Sequence, residues 1–547
     1  MKRLLSVLAC ALFLLAACAP ATPTVPPLQP TPTPTPFPAG TPVPARIRMR
    51  GVLWVGVRYD LPPFGFVTDE GTLAGFDVDL GRELARRWLG DPQAVQFRQV
   101  RSDTAAQHIQ TGDVDLALGA LIHTRQAEAQ VDFGPPYFWD GHALLVRAAE
   151  GATITAPGDL AGLPVGVVEG EDAAAALAAV VPFTPTLQAY GDFDRALAAL
   201  ESGEVVAVTD LRRRLVRGLS MVPGSRIVGQ YTRAAVAPAF AQDEPGLSDL
   251  VALTFQAMLA DGTYETLYAR WFPGDPLPTF ESWPGATTIS LAQAEETQRV
   301  SGTLAALETR GRLRVAMVSN RPPFASYNVN GEPTGYEVQL VRLLAERWLG
   351  DRAAVDFLPV TAEEGRRMLT AGEADLLIGG MAHTQEAERQ ADFSLTTCVA
   401  GEGVMVQEGV DLEDVAGLNG QTVAVVSGTG SADALQRAAR EAGISVAMVT
   451  KASLEEAIAA LQAGEVFAVV GERANMLGPA YATEGVFVTA VRLTRVPLAL
   501  MLPPGDSAFR DRVNLTLQEL AQEGTFATLY TAWFDDAPPE LEPWPGE

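Results

Sequence analysis

Asp115-Leu-Ala-Leu-Gly-Ala-Leu-Ile-His-Thr-Arg-Gln-Ala-Glu-Ala-Gln-Val-Asp-Phe133 decides the fold because the chain states it twice, again as Asp375-Leu-Leu-Ile-Gly-Gly-Met-Ala-His-Thr-Gln-Glu-Ala-Glu-Arg-Gln-Ala-Asp-Phe393. In each copy an apolar run too short for a helix passes a glycine and gives way to His-Thr and a polar, helix-favouring segment. That pattern predicts a buried strand, a tight turn and a helix start. Thr124 and Thr384 are placed as N-caps, since a threonine oxygen accepts from the free N–H groups of a first turn. Uncovered N–H groups and the positive helix end attract anions, so the motif reads as the floor of a binding cleft.

Working outward, residues 52–57 predict a strand, 75–88 an amphipathic helix, 94–100 a strand and 104–111 a helix leading into the motif. Beyond it, a strand at 163–168, an Ala-rich helix after Asp172, a helix near 195–201 and a strand at 205–208 suggest a second α/β lobe. Residues 247–272 predict a long helix and then a short one. Alternating strands and helices predict mostly parallel sheets. The programme then repeats: Pro62-Pro63-Phe64 returns as Pro322-Pro323-Phe324 and Trp88 as Trp348, at an offset of 260. The offset slips to 262 at Trp271-Phe272 and Trp533-Phe534, and Glu281-Ser-Trp-Pro-Gly285 is echoed by Glu542-Pro-Trp-Pro-Gly546. A domain-sized period means tandem duplication.

At 547 residues, 48% of them hydrophobic, the chain holds material for at least two cores. A net charge of −26 excludes a nucleic-acid partner of the ordinary phosphate-neutralising kind. Lys2 and Arg3, a short apolar segment and Leu15-Ala-Ala-Cys18 resemble a bacterial lipoprotein signal, which implies cleavage before Cys18 and its lipidation; an ordinary secretory peptide is the alternative. Residues 19–45, rich in Thr-Pro, predict an extended tether reaching roughly 80 Å at about 3.1 Å per residue. The boundaries expected are a signal at 1–18, the tether at 19–45, a first domain at 46–275, a linker at 276–302, a second domain at 303–536 and a tail at 537–547. Cys398 is left as the only thiol of the folded part, so no internal disulfide is possible.

Each half resembles the bacterial extracellular solute-binding proteins, family 3, the amino-acid receptors of ABC importers. The resemblance rests on Pro-Pro-Phe, on Gly75-Phe-Asp-Val-Asp-Leu80 and Gly335-Tyr-Glu-Val-Gln-Leu340, and on Gly112-Asp-Val-Asp115 and Gly372-Glu-Ala-Asp375. It continues through the Asp-Phe after the motif and the closing Gly-Thr-Tyr or Gly-Thr-Phe with Trp-Phe. It implies an α/β fold of two tandem bilobed periplasmic-binding-protein-like (type 2) domains. Each would have two lobes joined by a hinge, near 138–141 with 232–236 and near 398–401 with 494–497. A ligand between the lobes would favour the closed state.

The positions that the resemblance carries into the first cleft are Leu61, Ser102, Gly119, Ala120, Ile122, Glu171, Asp172 and Asp210. In the second they are Arg321, Ala362, Gly379, Gly380, Ala382, Thr429 and Glu472. Asp210 matches Glu472 only with a one-residue gap. Members that bind α-amino acids hold the carboxylate with an arginine where Ala127 and Ala387 stand here, so that bidentate pair is absent. Three acids suit a cationic ligand in the first cleft; Arg321 and Glu472 suit a zwitterion or small acid in the second. Solvated loop charges are the alternative in both. His123 and His383 either touch ligand or pack at the strand end. No cofactor, metal or nucleotide motif is present. The expected function is a lipid-anchored receptor for a small polar solute, with permease and ATPase on separate chains. A periplasmic dehydratase using Glu171 or Glu472 as proton donor and a sensory binding module are the other readings.

Overall fold

Helix Phe76–Leu89 shows why the elements form where they do. Phe76, Leu80 and Leu84 recur every four residues with Asp77, Gly81 and Ala85 beside them, all buried, the spacing that lets a helix bury a broad face. Arg86 and Arg87 complement the dipole in the last turn, and Gly90, in the left-handed conformation, ends it. Tyr336–Leu349 repeats the design and stops at left-handed Gly350.

The computed structural model describes residues 37–38, 40–147, 153–170, 173–273, 277–541 and 543–545. Pro42–Glu547 form a single compact unit containing both halves. In the first half, one lobe carries a five-stranded sheet ordered Val95–Gln99, Leu53–Val57, Leu116–Ala117, Ala239–Phe240, Asp132–Phe133. The first three strands run parallel and Ala239–Phe240 runs antiparallel to its neighbours. This lobe is therefore built from both ends of the half, as the resemblance implied. The second lobe orders Thr186–Tyr190, Pro164–Val168, Ala207–Leu211, His142–Arg147, Ser225–Val228, again three parallel strands with antiparallel company. Between the lobes Phe138–Asp140 pairs antiparallel with Ala234–Val236. The second half repeats every one of these relations, its crossing ladder being Cys398–Ala400 with Val496–Leu498. These ladders coincide with the expected hinges.

Three segments read as connectors are packed structure. The tether expected through residue 45 gives way to a helix at Val43–Arg50, because Val43, Ala45 and Ile47 are buried on the first lobe. Within the linker, Leu291–Ala294 forms a capped helical turn with Leu291 and Ala294 buried. It seats against Gly246, where a Cβ would lie 1.8 Å from the Ala294 carbonyl oxygen. The tail buries Leu541 and Trp544. In each case apolar side chains, sparse among prolines and charges, find a groove that the local pattern does not announce.

Candidate functional site

The repeated motif divides its two ends between two places. Its glycine end forms a buried turn at the hinge-side edge of the first lobe. Gly119 and Ala120 take φ of 47° and 50°, and Gly379 and Gly380 take 128° and 67°. The turn is held from within: Asp77 Oδ2 accepts from the Ala120 N–H at 2.9 Å, and Glu337 Oε2 accepts from Gly379 and Gly380 at 2.6 and 2.9 Å. Burial pushes both carboxyls up to about 7, against the N–H groups that favour their charge. Ile122 and Ala382 then pair with hinge residues Val236 and Leu498.

The His-Thr end faces the other half of the chain. Thr124 and Thr384 do cap, each accepting from the residue three on at 3.1 Å. The anion site expected there is closed, however. The N–H of Arg125 donates to the Pro545 carbonyl and that of Gln385 to Pro284, both at 3.1 Å. His123 stacks between Phe133 and Trp544, at ring separations of 4.4 and 4.3 Å, and His383 between Phe393 and Trp283, at 4.3 and 3.9 Å. Each Trp-Pro-Gly segment therefore clasps the opposite half's motif, and the histidines are interface residues. A cavity of about 1120 Å³ lies between the halves, reached by Trp139 and Val399 of the two hinge ladders.

The remaining expected cleft residues are distributed as follows. Leu61, half-buried, leans on the first-lobe core, while Ser102 is exposed in the loop before Ala105–Gln110. Glu171 and Asp172 lie outside the described residues, as does Cys18. Arg321 is exposed and bridges to Ala325 through its backbone; Ala362 opens a helix capped by Thr361. Thr429 is exposed, its hydroxyl donating to the Val426 carbonyl at 2.8 Å. The structure matches the halves here at an offset of 261, one more than at the hinge: the N–H groups of Arg212 and Arg473 donate to Gly141 and Gly401 at 2.8 and 2.9 Å, which sets Leu211, not Asp210, opposite Glu472, and Asp210 opposite Gly471. Asp210 is buried in the second lobe, 2.9 Å from the Arg214 guanidinium. Half-buried Glu472 accepts from the N–H groups of Gly401 and Ala474 at 3.1 and 3.2 Å. Burial raises its pKa, and the nearby Glu402 carboxylate adds to the effect.

Four groups near the clefts escaped the sequence reading: Asp77, Glu337, Asp140 and Arg213. A signal existed for the first two. Each is an acid in the first turn of a helix at a position where its neighbours form a buried stripe, at the same place in both halves. Among the described residues, Glu128, Asp132 and Asp511 converge closely enough to suggest a metal. Their partner is instead Arg510, 3.2 Å from Asp132 and 3.8 Å from Glu128, which supplies the cation.

The sequence pattern of the bacterial extracellular solute-binding proteins, family 3, matches residues 53–274 and again 313–536. The glutamine-binding protein of Geobacillus stearothermophilus is 33% identical over 166 residues, 30% of this chain and 62% of that protein, so this chain spans less than two thirds of its length. The ABC transporter glutamine-binding protein of Bacillus subtilis is 27% identical over 235 residues, 42% of this chain and 85% of that one. Among solved structures, an ancestral cationic amino acid solute-binding protein is 30% identical, with 43% of this chain and 100% of that one covered, at a TM-score of 0.37. The chain belongs to the bacterial extracellular solute-binding proteins, family 3, and carries the family's fold twice, as a tandem duplication.

Proposed function

We propose that the protein is an extracytoplasmic receptor for a small polar solute, an amino acid or a close derivative, serving an importer whose permease and ATPase are separate chains. The observation that carries this is the pair of lobes in each half joined through a crossing ladder of two short strands. Two such rigid bodies, with a turn of buried polar groups at their edge, suit capture by closure: a ligand that touches both lobes shifts the population to the closed state by its differential affinity. The names of the relatives support the amino-acid class. Loss of the carboxylate-clamping arginine at Ala127 and Ala387 supports a ligand recognised without a bidentate carboxylate pair.

Glu472 has a binding role in this reading. Both of its oxygens are engaged by backbone N–H groups of the hinge and of its own helix, which fixes the carboxyl in one orientation for a ligand. Cys18 carries the lipid anchor, and the Thr-Pro segment spaces the receptor from the membrane. Among the described residues no helix is long and apolar enough to cross a membrane.

The test is native mass spectrometry of gently purified chain beginning at Pro42, so that the buried Val43 is kept. Any small molecule carried along is extracted and identified. A co-purified amino acid or amine supports the receptor. An empty protein that also shows no thermal shift with amino acids, amines and small acids sinks it.

A further inference from the structure

The cleft of the first half already holds a cation of its own. Arg213 stands in the first turn of the second-lobe helix Arg212–Met221. Its side chain crosses to the other lobe, where Nη1 donates to the carbonyl oxygen of Ala120 at 2.9 Å. That alanine is the buried turn of the motif, and its N–H is already engaged by Asp77 within the first lobe. The guanidinium is also fixed from the hinge. Nε lies 3.2 Å from Oδ2 of Asp140, which has no exposure at all. The other oxygen of Asp140 accepts from the N–H groups of Gly141 and of Arg213 itself, at 2.9 and 3.2 Å. The Arg213 side chain is 16% exposed, so solvent does little to loosen it. A planar guanidinium gripped by a buried carboxylate and a carbonyl keeps one geometry.

The second half lacks both members of this arrangement. The register that matches Arg212 to Arg473 puts Ala474 at the place of Arg213, and the offset of 260 puts Ala400 at that of Asp140. The N–H of Gly401, the counterpart of Gly141, turns to Glu472 instead. Among the described residues no second-lobe side chain donates to the turn carbonyls of Gly379 or Gly380. The second half's turn carbonyls are thus left to a cation from outside, whereas the first half's is occupied from within; the second half's lobes meet elsewhere, through Arg473 and Arg492 at Asp536, which follows the first lobe's last helix.

We propose that Arg213 is an internal ligand of the first cleft: it fills the cation-accepting position at Ala120, latches the two lobes without a solute, and leaves the second half as the working receptor. This rests on reading each half as a hinged receptor, and it predicts one solute per chain.

The test uses no solute, so its failure and that of the receptor reading are told apart. Nitroxide pairs are placed by Gln93→Cys with Thr186→Cys across the first half, and by Ala353→Cys with Ala447→Cys across the second, all at exposed positions. The full-length chain carries Cys10→Ser and Cys18→Ser; buried Cys398 takes no label. Pulsed electron resonance is expected to give a narrow interlobe distance in the first half. Arg213→Ala should broaden it and shift it longer, while the second half, held by Arg473 and Arg492 at Asp536, does not move. A first half that is already broad, or one unmoved by Arg213→Ala, overturns the latch. Should Arg213→Ala lose cooperative unfolding, Asp140→Asn decides: it removes the charge that fixes the guanidinium, and a first-half distance left narrow and unshifted by it overturns the proposal equally.

Discussion

Cys398 lies in the second hinge ladder, 2% exposed, with its sulfur 3.7 Å from the Tyr530 hydroxyl. Burial pushes the thiol up to about 12, so almost no thiolate exists at neutral pH. Native protein is expected to leave Cys398 unalkylated by iodoacetamide over hours, with full reaction only in denaturant, read by mass spectrometry of its peptide. Rapid labelling of the native state would contradict this. Thr384 is argued on similarly local grounds: it accepts from the Ala387 N–H and opens a helix of only four residues. Thr384→Ala should cost about 1 kcal/mol, measured by the shift of the urea midpoint at constant slope. Both threonines were legible in the sequence because a cap depends on four consecutive residues. Asp77 and Glu337 were not read as cleft groups, because the turn they hold lies more than forty residues away. Nor were Arg213 and Asp140, because their partnership exists only when two lobes meet.

At the scale of elements, the two Trp-Pro-Gly segments matter most. Trp283 is anchored to its own half by the Gln256 side chain and reaches the other, where Gln385 donates to its carbonyl at 3.1 Å. Trp544 is likewise fixed by Gln518 and reaches back to His123. Both indoles are 8% exposed. Trp544→Ala removes a buried aromatic and uncovers a histidine ring, so a loss of roughly 3–5 kcal/mol is expected. The Arg125 N–H, which donates to Pro545, should exchange with deuterium much faster. An unaltered exchange rate there would mean that the tail does not clasp. The repeat of Glu-x-Trp-Pro-Gly was visible in the sequence, but its reciprocity was not, since a linker and a tail have the same local character whichever half they rest on.

Across the whole molecule the halves meet around charge that solvent does not reach. Arg510 lies between Asp132 of one half and Asp392 of its own, at 3.2 and 3.6 Å, and Ser507 donates to Asp132 at 2.6 Å. Burial pushes Glu128 up to about 8, Asp392 to about 7 and Asp511 to about 9, while it holds His123 neutral down to about 3. Carboxyls raised in this way keep protons in the native state that the unfolded chain releases near pH 4. Their contribution is therefore complete below about pH 4, declines as pH rises, and is gone once pH passes about 7 to 9. His123 acts oppositely: an unfolded histidine gains its proton below about 6.5, so stability falls there on acidification. Since the raised carboxyls outnumber it, the thermal midpoint should rise from pH 8 through 6 toward about 5, less steeply once the histidine opposes it below about 6.5. A midpoint that drops steadily from pH 8 in calorimetry would refute this balance. Arg510→Met leaves the surrounding carboxylates without their cation and should cost about 3–5 kcal/mol at pH 8. The loss should shrink by pH 6, as those groups take up protons.

The sequence by itself determined the duplication, the alternation of strands and helices, the caps and the hinges, and so the family. These depend on short-range patterning, on which residues lie one turn or one pleat apart, and on the repetition of that pattern at a fixed offset. Tertiary structure alone decided what the motif's two ends face, which acids are buried, and that the first cleft contains an arginine. Those outcomes depend on groups brought together from distant parts of the chain and removed from water at once, where desolvation and partner geometry outweigh local preference.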